Sequence, residues 1–250
     1  MKNQFVGKVS VGEVLSYVFL TIVLVFCVLP LIFMTTAAFM DAKQIMSMPY
    51  TWIPSSEYFT TSTRTFFTNF QKAIVGNHGD NIFFRNLFNS LIVASVCAIT
   101  TVLLASLCGF GLAKYKFRGQ KAVFMAIMST MMIPFEAIMI PLYLVATKMN
   151  IINTIPGLII PFLVSAFGVF QMRQYLITFP TEYLDAARVD GMGEFGIYAK
   201  IVLPNSTPVI ATLAILSFRN QWDNLLWPLL CSQAEKMKTI PLYISKFAEE

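Results

Sequence analysis

The sequence predicts an all-α integral membrane protein, a polytopic helical bundle with five spans in this chain. Three observations carry that prediction. Of 250 residues, 56% are hydrophobic and 12% charged, against about 25% charged in soluble domains, so the chain has about half the charge that a water-facing surface needs. Mean hydropathy is +0.67, and 23 Phe with 14 Met enlarge the apolar side. Finally, uncharged stretches recur at lengths suited to a hydrocarbon core about 30 Å thick, which takes roughly 20 helical residues to cross.

The elements follow in chain order. Residues 1–13 read as a cytoplasmic N-terminus containing Lys2 and Lys8. Span one lies between Glu13 and Asp41, which enclose 27 uncharged residues. It is about twice the length of a secretory h-region and no A-x-A pattern follows it, so it is read as an uncleaved helix. An outer loop over 40–85 has Pro49, Pro54, Gly76 and Gly79 as breakers and Trp52, Tyr58, Phe66 and Phe67 as interfacial aromatics. Arg85 and Lys114 enclose 28 uncharged residues, span two. Lys114, Lys116, Arg118 and Lys121 then place four cations within eight residues, which marks a cytoplasmic loop. The outer loop carries Lys43, Arg64, Lys72 and Arg85, so the predicted orientation rests on this short inner loop.

Span three lies between Lys121 and Lys148, with Glu136 its one charge, and span four takes the 24 uncharged residues between Lys148 and Arg173. A cytoplasmic loop is expected over 173–204. Span five takes the 18 residues between Lys200 and Arg219 and continues past Asp223 through Asn224–Leu230. The membrane domain is thus 14–230. Residues 231–250 read as an external loop, with a sixth helix expected beyond residue 250. No internal repeat is visible.

Several function classes are excluded. A net charge of +5 comes from scattered cations, whereas phosphate affinity needs clustered ones, so no nucleic-acid partner is expected. Cys27, Cys97 and Cys108 lie inside apolar runs and Cys231 just past one, which gives neither a disulfide framework nor a CxxC site. One histidine, His78, permits neither a His-based zinc cluster nor a relay of several histidines, and no metal is expected. Gly191-x-Gly193-x-x-Gly196 spells a dinucleotide fingerprint, but a helix is predicted before it where a strand is required. Asn205-Ser206-Thr207 is a formal sequon at the inner face.

The inner loop contains the clearest local signals. Pro180 and Thr181 give a helix start with a cap oxygen, Glu182 and Asp185 sit in the first turn where the dipole favours anions, and Gly191 supplies a left-handed exit. Ala186 and Ala187 leave a shallow surface between longer side chains. A second helix through Phe195, Tyr198, Ile201 and Val202 is expected to stop at Leu203-Pro204. Two readings stand together: an amphipathic segment lying on the lipid surface, or a rigid knob held at both ends by spans and able to transmit a push.

Asp185-Ala186-Ala187, Asp190-Gly191 and Ile201-Val202-Leu203-Pro204 resemble the EAA loop of ABC importer permeases. The family pattern is E-A-A, D-G, then I-x-L-P; here Asp185 replaces Glu and shortens the reach of that carboxylate. Gly109-Phe110-Gly111-Leu112-Ala113, Phe117-Arg118-Gly119, Met132-Ile133-Pro134, Ile140-Pro141-Leu142-Tyr143, Asn153-Thr154 and Trp222-Asp223-Asn224-Leu225-Leu226-Trp227-Pro228 are similar to the MalG-like carbohydrate permeases. The resemblance implies six core helices in a cell membrane, a second permease subunit, a cytoplasmic ATPase dimer docking on the EAA loop, and an external solute-binding protein. It implies coupling roles for Asp185, Ala186, Ala187, Asp190, Gly191, Ile201, Leu203 and Pro204. No GxxxxGK[ST] loop occurs, so ATP and Mg would be bound by the ATPase, with no cofactor in this chain and no catalysis by it. The rival readings are a stand-alone secondary transporter or channel, and a polytopic membrane enzyme; no nucleophile or metal constellation supports the latter.

Two polar features in the spans remain. Glu136, between Pro134 and Pro141, would cost several kcal/mol if ionised against lipid, so it is expected to face protein or water, as a structural acid or a pathway group. Arg219, Trp222 and Asp223 combine an aromatic with charged groups, a composition suited to a sugar's C–H face and hydroxyls. Alternatively, Arg219 and Asp223, four apart, simply neutralise each other.

Overall fold

The computed structural model describes residues 10–40, 42–55, 68–75 and 82–247, and it divides into two units, 1–79 and 80–250. Lys2, Lys8, Asp41, Tyr58, Arg64, Phe66, Phe67, Gly76, His78, Gly79 and Glu250 lie outside the described residues. Among the described residues every regular element is helical.

In the first unit, α1 (Val11–Ala37) opens with a capping box: Ser10 N donates to Glu13 Oε2 at 2.8 Å and Ser10 Oγ accepts from Gly12 N at 3.3 Å. The helix is apolar on all faces, as a lipid-exposed span is. Its C-terminal end meets a short α2 (Ala42–Ile45) and α3 (Thr68–Val75), where the Asn69 amide donates to the carbonyls of Ala38 and Met40 at 3.0 and 2.9 Å. Trp52 sets its ring edge-on to Phe33, centroids 5.5 Å apart.

The second unit is organised by α4 (Ile82–Lys114), whose buried face is rich in small residues, including Ala94, Ala98, Ala105 and Gly109. Small residues let helices approach closely in lipid. At Gly109 a Cβ would lie 2.7 Å from Met172 Cβ, so α8 (Ala166–Thr178) crosses α4 there with no room for a side chain. The other elements are α5 (Gln120–Thr130), α6 (Phe135–Lys148), α7 (Ile155–Phe162), α9 (Glu182–Val189), α10 (Glu194–Asn205), α11 (Thr207–Trp222), α12 (Leu226–Cys231) and α13 (Ile240–Phe247).

Two helices, α1 and α4, are individually long and apolar enough to cross a membrane, and the described residues provide five spans when each bent pair counts as one. Three of these five crossings are bent. Span three breaks by 94° between α5 and α6, because Pro134 lacks an N–H and holds an extended ψ of 141°. Span four bends by 43° between α7 and α8, where Ser165 Oγ accepts from Gly168 N at 3.2 Å to start α8 anew. Span four also continues beyond Arg173 to Thr178. The charge is accommodated inside the helix, since Arg173 lies 4.0 Å from the Phe124 ring centroid and donates through Nε to Leu112 O at 3.2 Å.

Span five reaches the necessary length only as the bent pair of α10 and α11, and the chain is interrupted at Asp223–Leu225 before α12. Its expected start is displaced too: the helix through Phe195 and Tyr198 does not stop at Leu203-Pro204 but runs to Asn205, and the 81° bend falls at Ser206. Residues Tyr198–Val202 form a π turn. That wider turn takes the chain past Pro204, whose ring would otherwise press on the carbonyl four residues back.

The segment 231–250, expected as an external loop, contains a packed helix. Ile240, Leu242 and Tyr243 are buried, Ile240 N donates to Ser90 Oγ at 2.8 Å, and the Asn89 amide donates to the carbonyls of Lys236 and Lys238, both at 3.0 Å. Side chains of α4 thus satisfy the start of α13.

Candidate functional site

An elbow is built from α9, the turn Asp190–Gly193 and α10. Thr181 begins α9, though not through its side chain as expected. It sits in the αR region without a side-chain cap, and its carbonyl takes the N–H groups of Leu184 and Asp185 at 2.9 and 3.0 Å. Gly191 has φ +78°, the predicted left-handed exit. Leu184 and Ala187 are buried in a core with Phe110, Leu112, Met172, Leu176, Ile197 and Tyr198. Ala186, one residue and so about 100° of helix away, points out. The shallow surface assigned to both alanines therefore belongs to Ala186 alone.

Ile201 and Leu203 pack half-buried against the same core, which ties the foot of the elbow to it. Pro204 is exposed at the foot of α10, and Asp190 is exposed beside the turn. Tyr198 anchors α10 to α4 by a 2.6 Å hydrogen bond between its hydroxyl and Ser106 Oγ. Outside this core stands an apolar rim: Val189 is 87% exposed, Phe195 74% and Tyr183 61%.

An ionic clamp closes the elbow. Arg188 donates through Nη1 to Asp185 Oδ1 at 2.8 Å, and through Nε and Nη2 to the two oxygens of Glu194 at 2.8 and 3.2 Å. Tyr115, just past α4, donates its hydroxyl to Glu194 and stands edge-on to Phe110, 5.4 Å between centroids. Asp185 reaches a partner despite its length. Sequence reasoning singled out neither Arg188, Glu194 nor Tyr115, because the bidentate pair spans six residues across a turn and the phenol comes from a different loop.

Each group's titration follows from its neighbours. The hydrogen bond from Arg188, and then that from Tyr115, holds the Glu194 carboxyl below its ordinary 4.5. Burial, then the bond to Glu194, pushes Tyr115 up to about 12 from 10.0. A depressed carboxyl contributes stability above its ordinary value and loses it as pH falls; a raised phenol contributes below its ordinary value and loses it as pH rises. Amide hydrogen exchange over 182–196 is therefore expected to stay constant from pH 5 to 9, after correction for intrinsic exchange, and to rise in Arg188→Ala at every pH in that range. Protection that collapses near neutrality in the unsubstituted protein would contradict the clamp.

A second feature lies along α11. A pocket of about 520 Å³ is lined by Ser165, Phe167, Ser217, Arg219, Asn220 and Asp223, among others. A smaller one, about 130 Å³, shares Ser165, Ser217 and Asn220 and adds Thr101 and Gln221. Arg219 Nε lies 3.3 Å from Asp223 Oδ2, with the side chains 76% and 59% exposed, so the two do neutralise each other. They stand in the last turn and C-cap of α11, at the interruption before α12. Trp222 lines neither pocket and stacks on Phe218, 5.7 Å between centroids at 18°. Glu136 lines neither; it is exposed in the first turn of α6, after the bend, where the helix dipole favours its charge.

Residues 101–233 match the family described as binding-protein-dependent transport system inner membrane component. The chain is 38% identical over 168 residues to the arabinooligosaccharides transport system permease protein AraQ of Bacillus subtilis, covering 67% of this chain and 60% of that protein; it thus spans less than two thirds of that relative's length. To the sn-glycerol-3-phosphate transport system permease protein UgpE of Agrobacterium fabrum it is 29% identical over 239 residues, 96% of this chain and 83% of that protein. Its fold matches a crystal structure of a bacterial ABC transporter involved in the import of the acidic polysaccharide alginate, with TM-score 0.79, 21% identity, and coverage of 98% of this chain and 82% of the other.

Proposed function

The chain belongs to the family of binding-protein-dependent transport system inner membrane components, and from that membership we propose that it is one permease subunit of an ABC importer for a sugar or oligosaccharide. In this reading a second permease subunit completes the pathway, a solute-binding protein delivers cargo from outside, and a cytoplasmic ATPase dimer docks on the elbow. ATP and Mg are held by that ATPase. Lys114, Lys116, Arg118 and Lys121 keep the elbow side, and with it the N-terminus, in the cytoplasm.

The carrying observation is the elbow. A lipid-surface segment would bury its apolar side chains in the headgroup boundary and need no internal bracing. Here Arg188 and Tyr115 brace the two helices across Gly191 while Tyr183, Val189 and Phe195 stay uncovered, which suits a partner seated on a rigid support. Ala186 between Tyr183 and Val189 leaves a notch at helical spacing for a partner side chain. The relation to AraQ, a permease named for arabinooligosaccharides, supports a saccharide as cargo.

The test is purification of the tagged chain with its companions, followed by reconstitution. A nucleotide-hydrolysing subunit is expected to co-purify, and its hydrolysis to rise when solute and binding protein are supplied. Solute movement by the isolated chain on an ion gradient would instead establish a secondary transporter.

A further inference from the structure

The two pockets along α11 form one groove through their shared Ser165, Ser217 and Asn220. Its polar groups are hydroxyls and amides: Thr101, Ser165, Ser217, Asn220 and Gln221. The side chains of Asn220 and Ser217 make no hydrogen bond among the described residues, so a donor, acceptor and hydroxyl are free for a solute. Among the described residues the charged lining groups are Arg219 and Asp223, and they are paired. Both side chains are mostly exposed on a helix apolar enough to cross a membrane as part of a bent pair. Ionised groups in such a place face water or protein rather than lipid.

A lone guanidinium in a narrow aqueous groove would draw carboxylates and phosphates, because low-dielectric walls focus its field and its fork binds them bidentately. A carboxylate 3.3 Å away cancels that attraction at any distance large compared with the pair. We propose that Asp223 is a specificity-determining residue: it holds the groove at zero net charge, so the solute that passes is an uncharged polyhydroxylated molecule and anionic saccharides gain nothing from Arg219. The inference rests on the groove being part of the importer's pathway.

The test reads the potential and hydration of the groove directly. Ser217→Cys serves as reporter in the full chain with its companions in membrane vesicles, with exposed Cys27 and Cys108 replaced by serine; the same chain without the reporter gives the background. Anionic, cationic and neutral thiosulfonates of similar size are applied. With Asp223 present, the anionic and cationic reagents are expected to react at closely similar rates, with protection by a neutral oligosaccharide. A unit charge about 7 Å away in water changes each reagent's local concentration about threefold in opposite directions, so Asp223→Asn should raise the anionic-to-cationic ratio about tenfold. Asp223→Glu should leave the ratio unchanged. If Asp223→Asn does not accumulate, Arg219→Gln must tilt the ratio about tenfold the other way. Absence of any labelling above background, or a ratio indifferent to both substitutions, overturns the proposal. Solute-stimulated hydrolysis by the unsubstituted complex, measured alongside, separates the two failures: its loss would refute the importer reading, whereas a misplaced charge ratio in an active importer would refute only the role of Asp223.

Discussion

Replacing Gly157 with alanine is expected to remove most folded protein from the membrane fraction. A Cβ at that position would stand 2.0 Å from Ile151 O, 3.0 Å from Ile151 C and 3.1 Å from Cys231 Sγ, and the nearest of these is backbone that cannot rotate aside. The surrounding bonds make the site hard to relax. Gly157 N donates to Thr154 Oγ1 at 3.2 Å, and Gly157 O takes the indole N–H of fully buried Trp227 at 2.9 Å. Asn153, at φ +58°, donates its N–H to Cys231 O at 2.8 Å and accepts from the N–H groups of Gln233 and Ala234 at 2.7 and 2.8 Å. Pushing α7 away breaks this knot, stranding buried polar groups at about 1–3 kcal/mol each and loosening a tryptophan whose packing is worth about 3–5 kcal/mol. Together these approach the whole stability of a typical domain, about 5–15 kcal/mol. The measurement is detergent-extracted yield and thermal unfolding, beside Gly193→Ala as control. Gly193 has an ordinary φ of −70° and nothing within 4 Å of its Cβ position, so alanine there should lie within about 0.5 kcal/mol of the unsubstituted chain. Equal melting temperatures for the two variants would show that the knot does not bear on stability.

The features that were legible in the sequence are those governed by local composition. Charge spacing located the spans, because an ion is excluded from lipid wherever the chain goes next. Gly191 was readable as a left-handed exit, because only backbone sterics decide it. The bends were not readable in the same way. Pro134 is visible as a breaker, but hydropathy carries no direction, so a kinked crossing and a 94° turn look alike. Arg173 appeared to close span four because its compensation lies elsewhere, in the Phe124 ring and the Leu112 carbonyl, about fifty and sixty residues earlier. Glu136 is a related case: its position relative to the helix start depends on where the break falls, and only the structure fixes that. The clamp was hidden for a different reason. Arg188 and Glu194 violate the three- and four-residue spacing by which helical ion pairs are recognised, since the turn at Gly191 brings them together. Resemblance pointed to the elbow as a unit, but it did not separate outward Ala186 from buried Ala187, or the anchors Ile201 and Leu203 from the rim.

Gly191→Trp should leave the protein inserted and folded while solute uptake is lost. At φ +78° any L-residue is strained by about 1–2 kcal/mol, but nothing lies within 4 Å of its Cβ position and the turn is exposed, so the side chain leaves the backbone without a clash at its first atom. On this exposed turn the added bulk bears first on whatever approaches the elbow from outside. Gly191→Ala shares the strain without the bulk, and the pair therefore isolates the docking effect. Both variants are expected at similar levels in the membrane with similar melting temperatures. If an ATPase seats against Asp190, Gly191 and the rim of Tyr183, Val189 and Phe195, displacing it by the width of an indole forfeits several contacts, and a loss of only 1.4 kcal/mol weakens docking about tenfold. The Trp variant should accordingly lose uptake by at least about tenfold and leave hydrolysis insensitive to solute, while the Ala variant retains most of both. Equal, undiminished uptake by the two would mean that no motor sits on this turn. Equal loss in both would place the sensitivity in the backbone of the elbow, whose conformation the Arg188 clamp exists to hold, rather than in its outer face.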